Sequence, residues 1–322
     1  MKDFAGKTAV LTGGGTGMGR ELARQLVAEG CNVAMCDVSA ANMAVTKSLC
    51  EADAPQGTRV TSFVADVSDE AAMLAFKDAV ARDHDTDRIH LLFNNAGIGG
   101  GGGFVAGDRE GWERTFAICW GGVYNGCRAF LPMLMAADEG HIVNTSSVNG
   151  FWASLGPHTS HTAYAAAKFA VKGFTEALVT DLRLNAPHIK CSVVMPGHIG
   201  TEIVANSRKV LTGNDSDTLG AGAVAQARAR MVAMGADSAS ISDEQIRAFM
   251  AEAERRFRED APMTAAAAAT VILDGVKAER WRILVGEDAH VLDALVRADP
   301  EQAYEPAFFA ALAEKTGWRV GG

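Results

Sequence analysis

A glycine-rich turn near the start of the chain constrains its fold more than any other feature. The apolar run Thr8–Leu11 leads into Thr12-Gly-Gly-Gly-Thr-Gly-Met-Gly19, and a helical pattern follows and stops at Gly30. This order predicts a strand, a tight turn and a helix whose N-terminus offers free N–H groups to a pyrophosphate. Arg20 and Glu21 stand where a phosphate-transfer P-loop requires Lys and then Ser or Thr, so that class is excluded. A tight turn without a ligand remains the alternative for this stretch alone.

An acidic residue ends the second predicted strand. Asn32–Cys36 is followed by Asp37, where a dinucleotide-binding fold places an acid that accepts hydrogen bonds from the adenosine ribose. A 2′-phosphate about 4 Å from this carboxylate would be repelled by about 4 kcal/mol at an effective dielectric constant of about 20. Arg20 is a cation that would favour a phosphate, and we expect Asp37 to outweigh it. The sequence therefore predicts NAD as the cofactor in preference to NADP.

Polar or turn-forming residues also follow later predicted strands. The strands are residues 59–65, 89–93, 141–147, 190–195 and 282–285, and the first four lead to Asp66 and Val67, Asn94 to Gly97, Ser146 and Ser147, and Pro196 and Gly197. Helical patterns separate the strands, which predicts an α/β fold with a doubly wound parallel sheet of about seven strands and helices on both faces. We expect one domain over residues 1–322, with a ligand at the carboxyl edge of the sheet.

A tyrosine and a lysine are spaced for one face of a helix. Tyr164 and Lys168 lie four residues apart in an alanine-rich run, so helical geometry places their side chains one turn apart. An ammonium group at that distance favours the phenolate and lowers the pKa of the tyrosine, which makes the phenol a usable acid and base. A surface lysine beside a half-buried tyrosine is the alternative for the pair alone.

Taken in this order, the motifs resemble those of the short-chain dehydrogenase/reductases. The resemblance covers about Gly6 to Gly200 and about Thr264 to Gly286. Its pieces are the glycine turn, Asp37, Asp66, Asn94-Asn-Ala-Gly97, the serine before Val148-Asn-Gly150, Tyr164-x-x-x-Lys168 and Pro196-Gly-x-x-x-Thr201.

The resemblance implies a Rossmann fold, a nicotinamide cofactor and hydride exchange between an alcohol and a ketone. On this pattern Tyr164 transfers the proton, and Lys168 holds the nicotinamide ribose and lowers the pKa of Tyr164. Ser147, rather than Ser146, hydrogen-bonds the substrate oxygen. The implied cofactor-binding residues are Gly13, Gly17, Met18, Gly19, Asp37, Asp66, Val67, Asn94, Ala96, Gly97, Tyr164, Lys168, Pro196, Gly197, Ile199 and Thr201.

The chain departs from the family pattern at Cys119. Many members carry an asparagine at this place, which helps to hold a water that links the lysine to solvent. A thiol is a weak donor and acceptor, and Asn125 lies too far round the helix to replace the asparagine. We expect the proton relay to run through backbone carbonyls and water. A reactive thiol is the alternative, although nothing nearby in the sequence would ionise it.

A second departure is the long interval between Ser147 and Tyr164. Its additional residues lie in the stretch from Phe151 to His161, and we expect the apolar and aromatic ones to line the substrate site. His158 and His161 are interpreted as loop residues that form hydrogen bonds, because no third ligand has a metal-binding spacing. No metal is therefore predicted.

Two segments elaborate the fold. Residues 202–260 fall where the family covers its substrate, and we interpret them as a helical lid, with a solvated surface insertion as the alternative. Residues 298–322, with Phe308, Phe309 and Trp318, are interpreted as an arm that packs on its own subunit or on a neighbour. The predicted helix that carries Tyr164 is apolar nearly all round, which predicts a partner subunit, in a homodimer or homotetramer.

Composition excludes several partners. A formal net charge of −9 opposes binding to nucleic acid or to an anionic membrane. No apolar run is long enough to span a bilayer, and there is no apolar leader segment. The six cysteines are scattered without a CxxC pair, so we expect reduced thiols in a cytoplasmic protein.

The functional prediction is an NAD-dependent alcohol dehydrogenase or carbonyl reductase. It would interconvert a fairly apolar secondary alcohol and a ketone, with Tyr164 as the acid and base. The alternative is a catalytically silent nucleotide sensor or regulatory protein on the same fold, in which Cys119 breaks the relay. The presence of Ser147, Tyr164 and Lys168 together favours the enzyme.

Overall fold

A parallel sheet forms the centre of the protein in the computed structural model, which describes residues 1–100, 102–105, 107–157, 159–213, 224–225, 227–228, 231–232 and 241–317. Seven strands form the main sheet, and two short strands pair separately. The strands are β1 (Thr8–Thr12), β2 (Asn32–Asp37), β3 (Val60–Val64), β4 (Leu91–Asn94), β5 (Gly140–Thr145), β6 (Ile189–Pro196), β7 (Ile199–Gly200), β8 (Met263–Thr264) and β9 (Arg282–Val285).

The order of the main sheet is β3-β2-β1-β4-β5-β6-β9, and every pairing is parallel. The predicted doubly wound sheet is confirmed. The chain builds outward from β1 in one direction and then in the other, so a crevice opens at the carboxyl ends of β1 and β4.

Helices cover both faces of this sheet. They are α1 (Gly17–Ala28), α2 (Ala40–Asp53), α3 (Glu70–His84), α4 (Arg109–Phe116), α5 (Gly122–Met135), α6 (Thr162–Asn185), α7 (Ile203–Thr212), α8 (Asp243–Glu259), α9 (Ala265–Lys277), α10 (Glu287–Ala298) and α11 (Pro306–Thr316). Val10 faces the core under α3, α5 and α6, whereas its neighbour Leu11 faces the core under α1 and α9. This alternation is the period of a strand that is buried on both sides.

Two contacts hold together the segment around α7 and α8. β7 pairs with β8, and the Arg208 guanidinium on α7 bonds the Glu254 carboxylate on α8 at 2.5 Å. α8 begins at Ser242 with reciprocal bonds between Ser242 and Gln245, which is a capping box. In the part of the chain that the structure describes, no helix is long and apolar enough to cross a membrane.

The last helices pack on their own subunit, over the segment that follows β5. Trp152 is only 1% exposed, its ring lies against Phe308 and Phe309, and its Nε1 donates to the Ala303 carbonyl at 2.7 Å. The expectation that aromatic residues between Ser147 and Tyr164 line the substrate site is therefore wrong for Trp152. Trp318 and His158 lie outside the described residues.

Candidate active site

The glycine turn between β1 and α1 is shaped for close backbone approach. Gly13 has φ +70°, and a Cβ on it would lie 2.8 Å from the Cα of Ala96. A Cβ on Gly19 would lie 1.9 Å from the Gly13 carbonyl oxygen. Larger residues at these positions would push the turn off the neighbouring strand end, so the sequence motif reflects a real packing requirement.

The N-terminus of α1 is left without a side-chain cap. Thr16 is the N-cap residue, but its hydroxyl does not bond the first-turn N–H groups; it accepts from Nδ2 of Asn206 at 2.9 Å instead. The first turn, which includes Gly17, Met18 and Gly19, also carries no acidic side chain. Uncapped donors and the helix dipole fit the pyrophosphate of a dinucleotide.

Asp37 is held rigidly at the end of β2. Its Oδ2 accepts the Gly15 N–H at 3.0 Å and its Oδ1 accepts the Ser39 N–H at 2.9 Å. Arg20 is committed to the same turn, because it donates to the Gly15 carbonyl at 2.7 Å and to Oγ1 of Thr46 at 3.1 Å. The backbone of the glycine turn and of Ser39 thus fixes both carboxylate oxygens of Asp37.

Asp66, after β3, is engaged by an arginine that the sequence analysis does not anticipate. Its Oδ1 accepts from the N–H and the hydroxyl of Ser68, and its Oδ2 accepts from Arg114 of α4. Burial acts to raise its pKa, but the Ser68 and Arg114 hydrogen bonds outweigh this effect and hold the pKa of Asp66 below its usual value. The next carbonyl, of Val67, accepts from Nδ2 of Asn125 at 3.0 Å.

The side chain of Asn94 does not reach the crevice, so its predicted cofactor role needs a correction. Asn94 is 1% exposed, and its Nδ2 donates to Oδ1 of Asn144 at 2.9 Å, inside the sheet. Its neighbour Asn95 faces the site side instead and donates to the carbonyls of Thr12 and Gly13 at 3.2 and 3.3 Å. Asn95 therefore ties the end of β4 to the glycine turn.

Ser147, Tyr164 and Lys168 come together at the end of β5. The Lys168 Nζ donates to the Thr145 carbonyl at 2.8 Å and lies 5.4 Å from the centroid of the Tyr164 ring. The Ser147 hydroxyl faces the Tyr164 phenol. The hydrogen bond between the two groups acts to lower the pKa of Tyr164. Ser146 instead donates to the Lys168 carbonyl at 2.7 Å. The geometry thus places Ser147, and not Ser146, against Tyr164.

Desolvation controls the titration of this pair. Burial raises the pKa of Tyr164, Cys119 adds a smaller effect in the same direction, and the bond from Ser147 opposes both. Burial likewise lowers the pKa of Lys168. The sequence predicts that Lys168 lowers the pKa of Tyr164. In the structure the pKa of Tyr164 is instead raised, because burial is the largest effect. The phenol is neutral at ordinary pH and is a proton donor.

Cys119 lies beside Lys168, on a π-helical turn formed by Ala117–Gly121 between α4 and α5. Its thiol is fully buried and donates to the Ile98 carbonyl at 3.1 Å. Burial raises the pKa of this thiol, although the nearby Lys168 charge opposes the effect, so the thiol is not reactive. Asn125 bonds Val67 and does not face Lys168.

The turn after β6 is supported from behind by a buried carboxylate. The Asp288 Oδ2 accepts the His198 N–H at 2.7 Å, and a Cβ on Gly197 would lie 2.2 Å from the same oxygen. On the other side of the turn, Thr201 lies against Gly17. Pro196 and Ile199 are buried in β6 and β7. Sequence reasoning missed Asp288, which lies 90 residues from its partner.

The run of glycines after β4 connects two walls of the site. The Gly99 N–H donates to Oγ of Ser207 on α7 at 2.8 Å, and the Gly102 carbonyl accepts from the Thr162 N–H at 3.1 Å.

Within the described residues, no group of three or more His, Cys, Asp or Glu side chains is arranged to hold a metal ion.

Comparison with known proteins agrees with this geometry. The family model for short-chain dehydrogenases matches residues 7–212. The chain belongs to the short-chain dehydrogenase/reductase family. It is an oxidoreductase of that family, on a fold that binds NAD or NADP.

Three proteins with which this chain was compared show how far the similarity extends. The chain is 34% identical to the oxidoreductase SadH of Mycobacterium tuberculosis over 318 residues, which is 99% of each chain. It superposes on a family member from Burkholderia phymatum in complex with NAD with a TM-score of 0.75, at 29% identity over 95% of this chain and 98% of that one. A metagenomic short-chain oxidoreductase in complex with NADP gives a TM-score of 0.53 at 30% identity, over 60% of this chain and 83% of that one.

Proposed function

We propose that this member of the family interconverts a fairly apolar secondary alcohol and a ketone, with NAD as its cofactor and Tyr164 as its acid and base. The observation that supports it is the convergence of Ser147, Tyr164 and Lys168 at the carboxyl end of β5. When bound, the nicotinamide supplies or accepts the hydride.

The chain itself supplies the proton and the alignment. The Tyr164 phenol donates its proton to the oxygen of the ketone in reduction, and accepts it back in oxidation. The Ser147 hydroxyl, which lies on that phenol, hydrogen-bonds the same substrate oxygen. The Lys168 ammonium would hold the nicotinamide ribose. Its bond to the Thr145 carbonyl supports the relay through backbone carbonyls and water expected from the sequence.

The remaining residues hold the dinucleotide. The uncapped start of α1 would take the pyrophosphate, and Asp37 would accept hydrogen bonds from the adenosine ribose, which favours NAD over NADP. Asp66 and Val67 would border the adenine. The backbone at Ala96 and Gly97, together with the segment from Pro196 to Thr201, would border the nicotinamide end.

A homodimer or homotetramer is part of the proposal. Tyr124 on α5 and Phe169 on α6 are 45% and 41% exposed, although both are large and apolar. Trp120, on the π-helical turn before α5, and Phe174, on α6, lie edge to face with their ring centroids 5.4 Å apart. A second copy that covers these side chains would remove them from water. The buried free cysteines suit a reducing cytoplasm.

A Tyr164→Phe variant tests the reaction. We expect kcat to fall by about a hundredfold or more on any apolar ketone that the wild type reduces, because the phenyl ring has no proton to give. NADH affinity, measured by energy transfer from tryptophan, should change little. Tyr304→Phe removes an exposed phenol away from the site and from the proposed interface, and is the matched control. Unchanged turnover in Tyr164→Phe would refute the proposal.

A further inference from the structure

His161 lies beside Tyr164 and has no role in the reaction described above. The centroids of the two rings are 4.7 Å apart, and their planes are tilted by 35°. His161 is the N-cap residue of α6, yet its side chain caps no backbone N–H. Across the described part of the chain, no residue hydrogen-bonds its imidazole. Its half-buried ring is therefore available to a ligand.

The position of His161 on α6 directs it toward the substrate. α6 connects two parallel strands, β5 and β6, so it runs against them and its N-terminus stands at the carboxyl edge of the sheet. Residues 161, 164 and 168 follow the spacing of a single helix face. Lys168 is level with the end of β5 at Thr145. Tyr164 lies about one turn farther out, and His161 lies about 4–5 Å beyond it at 1.5 Å per residue.

The surroundings of His161 form a wall rather than open surface. Thr162 bonds the Gly102 carbonyl, and a Cβ on Gly103 would lie 2.3 Å from Oγ of Ser160. The glycine run therefore packs directly beside His161, and at Gly99 it is bonded to α7. A substrate that reaches Tyr164 and extends away from the sheet meets His161 next.

The imidazole is neutral under ordinary conditions, because burial lowers the pKa of His161 to about 4. A neutral imidazole offers one N–H donor and one acceptor nitrogen. A hydroxyl or carbonyl oxygen of a substrate can satisfy one of them, whereas a purely apolar substrate leaves both unpaired.

We propose that His161 is a specificity-determining residue that hydrogen-bonds a second oxygen of the substrate, close to the carbonyl that reacts at Tyr164. The inference rests on the proposed function and narrows its substrate class. The ketone is largely apolar but carries one further hydroxyl or carbonyl group. Selection arises because a bound substrate covers the half-buried imidazole, and only a substrate with the second oxygen replaces the hydrogen bonds that the ring then loses to water.

Three ketones of similar size test the inference. They are cyclohexanone, the same ring with a hydroxyl group opposite the ketone, and the same ring with a methyl group there. We expect the wild type to prefer the hydroxyl to the methyl compound by about tenfold in kcat/KM. His161→Phe keeps an aromatic ring against Tyr164 but offers no hydrogen bond, so the preference should fall to about one. His161→Gln restores a donor and an acceptor and should restore part of the preference for the hydroxyl compound. His290→Phe, at an exposed site on α10, is the control and should keep the wild-type ratio.

The outcomes separate the inference from the proposed function. An equal preference in the wild type and in His161→Phe would overturn the role of His161. So would a wild type that binds NADH but prefers the methyl compound or reduces none of the three ketones. A comparable loss on all three in His161→Phe, with NADH affinity kept, would also overturn it, because selection would then not be the role of the residue. A wild type that binds neither NADH nor NADPH would instead refute the proposed function.

Discussion

Replacement of Asp37 by asparagine should change the choice between NADH and NADPH. The carboxylate cannot swing away from a 2′-phosphate, because Gly15 and Ser39 each hold one of its oxygens. Arg20 cannot approach that phosphate without giving up its bonds to Gly15 and Thr46. At about 4 Å and an effective dielectric constant of about 20 the repulsion is about 4 kcal/mol. If solvent and salt halve it, about 2 kcal/mol remains, which is about thirtyfold in affinity.

Asp37→Asn should therefore bind NADPH about thirtyfold more tightly than the wild type does. It should bind NADH about fivefold more weakly, because a neutral amide accepts ribose hydrogen bonds less strongly than a carboxylate. The assay is a titration of each nucleotide at constant ionic strength, followed by energy transfer from tryptophan.

Asp53→Asn removes one acidic charge at the exposed end of α2, and this control should leave the ratio of the two affinities unchanged. A wild type that prefers NADPH would refute the reasoning. The two changes together should shift the ratio of the two affinities by about 150-fold, and a shift of less than about threefold in Asp37→Asn would refute it as well.

Three further predictions concern the support of the site. Cys119→Ser should keep kcat within a few-fold, because a hydroxyl can replace the thiol in its bond to Ile98; a hundredfold loss of turnover would show that the thiol itself is required. Trp152→Ala should lower the free energy of unfolding in urea by about 3–5 kcal/mol, because the indole is buried against α11, and a loss below about 1 kcal/mol would contradict this. Asp288→Ala should weaken the binding of NADH several-fold and leave the affinity for ADP-ribose unchanged, because Asp288 holds only the turn at His198. Equal losses of affinity for both ligands in titrations would argue against a local role.

The local structure around the glycine turn is largely predictable from the sequence, because short motifs build it. The glycine turn and Asp37 lie within one strand-turn-helix unit and the strand that follows it, and their local chemistry determines their geometry. The seven strands of the main sheet follow from apolar runs of strand length separated by helical patterns. Bounds differ by a few residues at strand ends, where hydrogen bonding stops gradually.

The two adjacent asparagines at the end of β4 show what the sequence does not predict, which is the direction of each side chain. Successive side chains of a strand point to opposite faces, so only one of Asn94 and Asn95 can face the glycine turn. The sequence does not reveal which, because both faces of this sheet are covered and the strand has no polar side. The selection comes from Asn144 on β5 and Thr175 on α6, which offer Asn94 a buried network.

The pKa of Tyr164 illustrates a second limit. The sequence shows the local partner Lys168, whose charge lowers the pKa of a phenol, but not the number of distant segments that exclude water from it. In the folded chain desolvation is the larger effect and the pKa of Tyr164 rises. Local spacing thus identifies which groups meet, and long-range packing decides how they titrate.

The segments around the motifs are held by contacts over much longer sequence separations. Asn206 on α7 donates to Thr16 across 190 residues, and Ser207 accepts from Gly99 across 108. Short motifs cannot encode such contacts, so they can differ between relatives that share the same cofactor motifs. Substrate selection is therefore expected to lie in α7, the glycine run and the segment before Tyr164, and His161 is where that segment contacts the ring of Tyr164.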